Sequence, residues 1–309
     1  MREAEKNPSQ WISTDRVVVM PDTCATDGKI QISPTKTLWL FAHGCAGLIG
    51  VIAFPHVEAL IVFLTLTAIT ICAGHSVGMH RLLIHRSFKA NKYLEYLLVW
   101  LGVLVGMAGP FGMIYAHDMR DWHQRQKLCP PHPSHDAGFW RDAWWQLCCQ
   151  FNLSKPPIFV IEPAIKNDKF YQFVERTWMA QQIPLGILLY WLGGLPFVLW
   201  GISLRIFVSL FGHWLVGHFA HRSGDQTWKI DGLPVQGYNV RRAGLITFGE
   251  SWHANHHAFP HSAKLGLEPD QSDIGFRLIL ALQRLGLVSD VKLPQSEPHR
   301  EGLIRVEGS

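Results

Sequence analysis

Apolar residues in this chain come in long uncharged blocks rather than in short alternating runs. No Asp, Glu, Lys or Arg falls within 37–57, 59–80, 96–117 or 177–204, and a fifth block, 206–221, is parted from the fourth by Arg205 alone. A helix needs about 20 such residues to cross the hydrocarbon of a bilayer, so the pattern predicts an all-α, polytopic membrane protein. Two tight antiparallel pairs are expected. One joins 38–54 to 59–74 across Pro55, His56 and Glu58; the other joins 183–201 to 204–220 and carries Pro184, Gly193, Gly194 and Pro196. Together they would make a four-helix transmembrane stem.

The remaining block, 96–116, is long enough to cross, but Gly109-Pro110-Phe111-Gly112 breaks it near its end. A single crossing would also put the histidines before and after it on opposite sides. It is therefore read as an interfacial or re-entrant helix. Residues 1–36, with Pro8, Pro21 and Pro34 and no helical period, read as a polar N-terminal tail. Residues 37–288 then form one membrane domain and 289–309 a C-terminal tail. Within 117–151, Trp122, Trp140, Trp144 and Trp145 suit the aromatic belt of a membrane interface. Apolar residues at helical spacing over 274–287, with Gly286 where a C-cap would stand, predict a surface helix.

The formal charge of +4 is too small to suggest a nucleic-acid partner, but its placement matters. Arg81, Arg86, Lys89 and Lys92 follow the second block. Arg120, Arg125 and Lys127 follow the third, and Arg222, Lys229, Arg241 and Arg242 the fifth. The positive-inside rule puts these segments in the cytoplasm. The six cysteines form no CxxC, so neither a disulfide framework nor a zinc ribbon nor an iron–sulfur site is indicated.

Histidine gathers beside the same basic segments. His253, His256 and His257 stand at i, i+3 and i+4, a spacing that brings three imidazoles to one helical face within reach of one or two metal ions. His221 ends the fifth block after His213 and His218, and a histidine at a membrane edge demands a partner. His80 and His85 are five apart, which on an unbroken α-helix leaves them about 140° apart. They converge only if the helix ends or bends between them.

Three stretches in this order resemble the membrane-bound fatty acyl desaturases, the acyl-CoA desaturases in particular. They are Gly78-Met79-His80-Arg81-Leu82-Leu83-Ile84-His85-Arg86-Ser87-Phe88, Trp214-Leu215-Val216-Gly217-His218-Phe219-Ala220-His221, and Gly249-Glu250-Ser251-Trp252-His253-Ala254-Asn255-His256-His257-Ala258-Phe259-Pro260. The likeness runs over about residues 38–287. It implies that His80, His85, His221, His253, His256 and His257 ligate a di-iron centre in a cytosolic cap above the stem. It also implies a double bond made in a fatty acyl chain, carried on coenzyme A or a lipid, with O2. Electrons would come from an external ferredoxin, rubredoxin or cytochrome b5-like donor. The chemistry is consistent: no side chain deprotonates an alkane, so the oxidising power has to come from a metal and O2.

One box departs from the family. Where it has HxxHH after Arg-Asp, this chain has Arg120-Asp121-Trp122-His123-Gln124-Arg125-Gln126, with Trp122, Arg125 and Gln126 in the histidine positions. Gly217 stands where the family often has Asn. His117 and His123 are the nearest stand-ins, with Asp118, Asp121, His132 and His135 also near. A one-iron site, a histidine-rich membrane hydroxylase and an inactive membrane protein stay open. Soluble di-iron carboxylate enzymes use two Glu-x-x-His motifs, of which only Glu250–His253 is present, and HExxH is absent. A metal transporter would need carboxylates in mid-span, and these blocks lack them.

Overall fold

The computed structural model describes residues 16–128 and 137–306. The described residues are mostly helical. Helix α1 (Pro34–Ala53) starts at an N-cap in which Ser33 Oγ accepts from Lys36 N, and ends before Pro55. Helix α2 (Val57–Ile84) follows directly and runs for 28 residues. After it come α3 (Lys92–Leu104), α4 (Pro110–Gln124), α5 (Phe139–Cys148), α6 (Pro163–Lys166), α7 (Lys169–Arg176) and α8 (Gln182–Ala220). Two short ones, α9 (His253–Ala258) and α10 (Ile274–Arg284), close the list. Among the described residues, α1, α2 and α8 are long and apolar enough to cross a membrane. Their outer faces leave Leu38, Ile52, Val57, Ile187 and Trp191 exposed, a surface that water would not tolerate and lipid would.

The third of these is not one rod. Gly193 and Gly194 leave helical geometry, Gly194 with φ 66° and ψ −157°. Gln182 Oε1 accepts from the Arg205 guanidinium at 2.7 Å across 23 residues, a separation of about 34 Å on a straight helix. Leu189 packs with Ile202 and Ile206. The chain therefore doubles back at Gly193–Gly194, not between residues 201 and 204 as the charge pattern suggested. Arg205, the one charge in that stretch, is fully buried and donates to the carbonyls of Gly201 and Leu104 as well. It is a brace inside the bundle rather than a turn.

The second half of α2 is wound differently from the first. Thr70–Ile84 is a π-helix, and His85 N–H donates to His80 O at 3.0 Å, five residues back. The wider i→i+5 turn stacks residues five apart nearly over one another, which brings His80 and His85 together without the break that α-helical geometry required. This π segment is pressed against α3: a Cβ on Gly74 would collide with the Gly102 backbone, and one on Gly78 with the Leu98 carbonyl. Met79, Leu83, Val99, Val103, Ile114 and Tyr171 form the core between α2, α3, α4 and α7. Val77, Leu82, Leu98 and Ile279 join α2 to α3 and α10.

The expected block at 96–116 is two helices, and the break falls at Gly106–Gly109. Helix α4 opens with Pro110 at its first turn, where the Glu175 carboxylate accepts from the Phe111 and Gly112 N–H groups. Residues 16–33 are not a loose tail. Val17–Val18 (β1) pairs with Ile158–Phe159 (β4), and Gly28–Ile32 (β2) with Cys149–Leu153 (β3), both antiparallel. Leu303–Arg305 likewise pairs with Trp228–Ile230, which ties down the C-terminal segment. Helix α10 carries its predicted C-terminal signal, Gly286 with φ 71°, and at its start Asp273 Oδ1 accepts from Phe276 N.

Candidate metal centre

Four elements deliver histidines to one place. The π end of α2 supplies His80 and, as its C-cap, His85; α4 supplies His117; the end of α8 supplies His221; and α9 supplies His253, His256 and His257. They fall into two groups whose nitrogens lie within 4.8 Å of one another: His80, His85, His117 and His256 in one, His221, His253 and His257 in the other. Helix α9 feeds both. His253 and His257, at i and i+4, face one group, and His256 turns to the other. The groups adjoin, with the His253 and His256 rings 5.7 Å apart.

Two of the stand-in positions resolve differently. His117, one turn before the Arg-Asp register, lies with its Nε2 3.1 Å from His85 Nε2. His123 belongs to neither group. Six residues beyond His117 it points about 120° away around α4, and its ring lies against Trp122 and Phe151. Burial lowers its pKa to about 4. Arg125 pairs with Asp121, and Gln126 donates to the Trp122 carbonyl. His132 and His135 lie outside the described residues. His218 turns the other way, 2.6 Å from Asp142, which also accepts from Trp214 Nε1.

A second layer aims the rings. His80 Nδ1 is 2.6 Å from Glu250 Oε2. Ser76 Oγ donates to Glu250 Oε1 at 2.6 Å. Arg81, 1% exposed, bridges Glu250 and Asp273 and donates to the Ala263 carbonyl. Burial pushes the Glu250 carboxyl up, but His80, Arg81 and Ser76 outweigh it and hold it well below the usual carboxylate range. His117 Nδ1 is 2.9 Å from Asp118, itself held by the buried Arg16, which also binds Glu162. His221 Nδ1 faces the Gln236 carbonyl at 3.3 Å. Asn255 donates to Leu265 O and Gln271 Oε1, which fixes α9 from behind. None of these partners is signalled by spacing except Glu250, which stands at the Glu-x-x-His position.

These residues fit a cation. Burial first, then the neighbouring histidines, holds His85, His253, His256 and His257 well below the ordinary imidazole value, so all four are neutral near pH 7. His117 goes the other way: burial lowers it, but Asp121 and Asp118 raise it overall. His253 Nε2 lies 3.0 Å from His221 Nε2 and 2.9 Å from His257 Nε2. A neutral ring nitrogen either donates one hydrogen or accepts one, so both contacts cannot be good hydrogen bonds. Convergent lone pairs are what a metal requires. Cis ligands on a six-coordinate ion with bonds of about 2.1 Å lie about 3.0 Å apart, close to these separations.

No family model matches the chain. Curated relatives do. It is 35% identical over 272 residues to an sn-1 stearoyl-lipid 9-desaturase of Anabaena variabilis, covering 88% of this chain and 98% of that protein. It is 34% identical over 241 residues to an acyl-CoA 5-desaturase of Anemone leveillei, covering 77% and 73%. A Delta-9 acyl-lipid desaturase of Arabidopsis thaliana is 34% identical over 234 residues, covering 75% of each chain.

Proposed function

Because the chain belongs to the fatty acyl desaturase family and is thus an oxidoreductase of acyl chains, we propose that its two histidine groups hold iron. The observation that carries the proposal is the pairing of two adjoining sets of mutually contacting imidazoles, each set with its ring nitrogens within 4.8 Å of one another. His80, His85, His117 and His256 would hold one ion, and His221, His253 and His257 the other. Iron supplied with O2 and electrons from a separate carrier provides the oxidising power to take two hydrogens from adjacent methylenes. The chain's own part is geometric. Glu250 and Asp118 keep the Nδ1 sides of His80 and His117 engaged, which leaves the opposite nitrogens as lone pairs. Arg81 and Arg16 in turn fix those carboxylates.

Placement follows from helix length. Both hairpin turns, at Phe54–His56 and Gly193–Gly194, precede the long arms 57–84 and 195–220, whose far ends carry the histidines. From those turns about 20 residues cross the hydrocarbon, and His80, His85 and His221 fall just beyond, at the basic side. The proposal therefore puts a four-helix stem in the bilayer, α3 and α4 at its cytoplasmic surface, and the histidines in a cytosolic cap. The substrate would be a fatty acyl chain on coenzyme A or in a lipid, drawn in from the apolar side.

The test is expression in cells unable to make unsaturated fatty acids, followed by mass spectrometry of the acyl chains. New double bonds are expected. Hydroxylated chains alone, or no product from iron-loaded protein, would overturn the desaturase reading.

A further inference from the structure

Among the described residues the two histidine groups are unequal: one has four imidazoles, the other three. The place of a fourth in the smaller group is not empty. Gln124, 3% exposed, brings its side-chain amide to His221, with Nε2 2.9 Å from His221 Nε2. Its other end, Oε1, is buried and has no hydrogen-bond partner among the described residues. A buried amide oxygen without a partner is costly, so nothing in its present pocket holds Oε1 away from His221.

Helix geometry explains why Gln124 is there. It stands seven residues after His117 on α4, which returns it to within about 20° of the same stripe. One helix thus offers an imidazole to the first group and, two turns on, an amide to the second. We propose that Gln124 is the fourth protein ligand of the second group, through Oε1. The oxygen and nitrogen of an amide are alike in shape, so a half turn puts Oε1 where Nε2 now lies, beside the His221 lone pair. An NH2 group aimed into a nest of nitrogens that share a cation would be repelled, whereas an oxygen completes it.

The consequence is a mixed centre. Four imidazoles hold one iron, and three imidazoles with a neutral oxygen hold the other more loosely. This rests on the reading of both groups as iron sites, and the experiment separates the two. Wild-type protein and Gln124→Leu, Gln124→Glu and Gln124→His variants would be loaded with Fe(II) without oxygen. Iron per chain and its release to a chelator would then be measured, with thermal melting to confirm folding. Wild type is expected to hold two irons and release them in two phases. Gln124→Leu should hold one. Gln124→Glu, which keeps the oxygen but has no N–H to donate, should hold two and release the second at least tenfold more slowly; Gln124→His should also hold two. If Gln124→Leu keeps two irons with wild-type release, or Gln124→Glu loses one as Gln124→Leu does, Gln124 is not a ligand. If wild type binds no iron, the reading of the groups as iron sites fails with it.

Discussion

Replacing His256 with alanine is expected to release at least one iron and to lower acyl desaturation by more than 100-fold, on the order of what loss of even an outer-shell partner costs a metal site. His256 is 3% exposed, and its ring lies 4.6 Å from those of both His80 and His85. Deleting it removes the contribution of α9 to the first group and leaves three imidazoles facing a void. The check is a count of iron per chain beside the yield of unsaturated product. His218→Ala serves as the contrast, because His218 lies against Asp142 outside both groups. It should keep both irons. Full iron retention by His256→Ala would remove His256 from the ligand set.

Replacing Arg81 with alanine is expected to cost about 3–5 kcal/mol of stability, the range for stranding one side of a buried ion pair. Arg81 sits between Glu250 and Asp273, all three shielded from water, and Asp273 also accepts from the Leu265 and Gly266 N–H groups. Without the guanidinium two carboxylates remain buried side by side. Glu250 then loosens, and with it His80. The expected result is a markedly lower melting temperature together with easier loss of iron. Arg81→Lys should recover only part of both, since an ammonium cannot bridge the two carboxylates as a planar fork does. A variant that melts like wild type would mean that this network contributes nothing to the fold.

The broad frame was legible in the sequence because bilayer thickness imposes it: uncharged blocks on either side of Pro55 and of Arg205 predict hairpins, and basic residues with histidines flank one end. The HxxHH spacing of α9 was equally plain. Four features were hidden for physical reasons. The second hairpin turns at Gly193–Gly194, yet glycine pairs are ordinary in membrane helices, and the more conspicuous Arg205 is satisfied by Gln182 and Leu104 inside the bundle. The π winding of α2, which unites His80 and His85, has no hydrophobic period to announce it. In the altered box, His117 and His123 are both legible as stand-ins, but spacing does not choose between them, and Gln124 carries a side chain seldom considered as a ligand. The strands at 17–18 and 28–32 are too short to show a period, and they pair at long range.

The two histidine groups are expected to be two iron sites. Protein loaded with Fe(II) and imaged by anomalous scattering at the iron edge tests it directly. Two peaks are predicted, one among His80, His85, His117 and His256, the other among His221, His253 and His257. A single peak, or iron bound elsewhere on a folded chain, would contradict it.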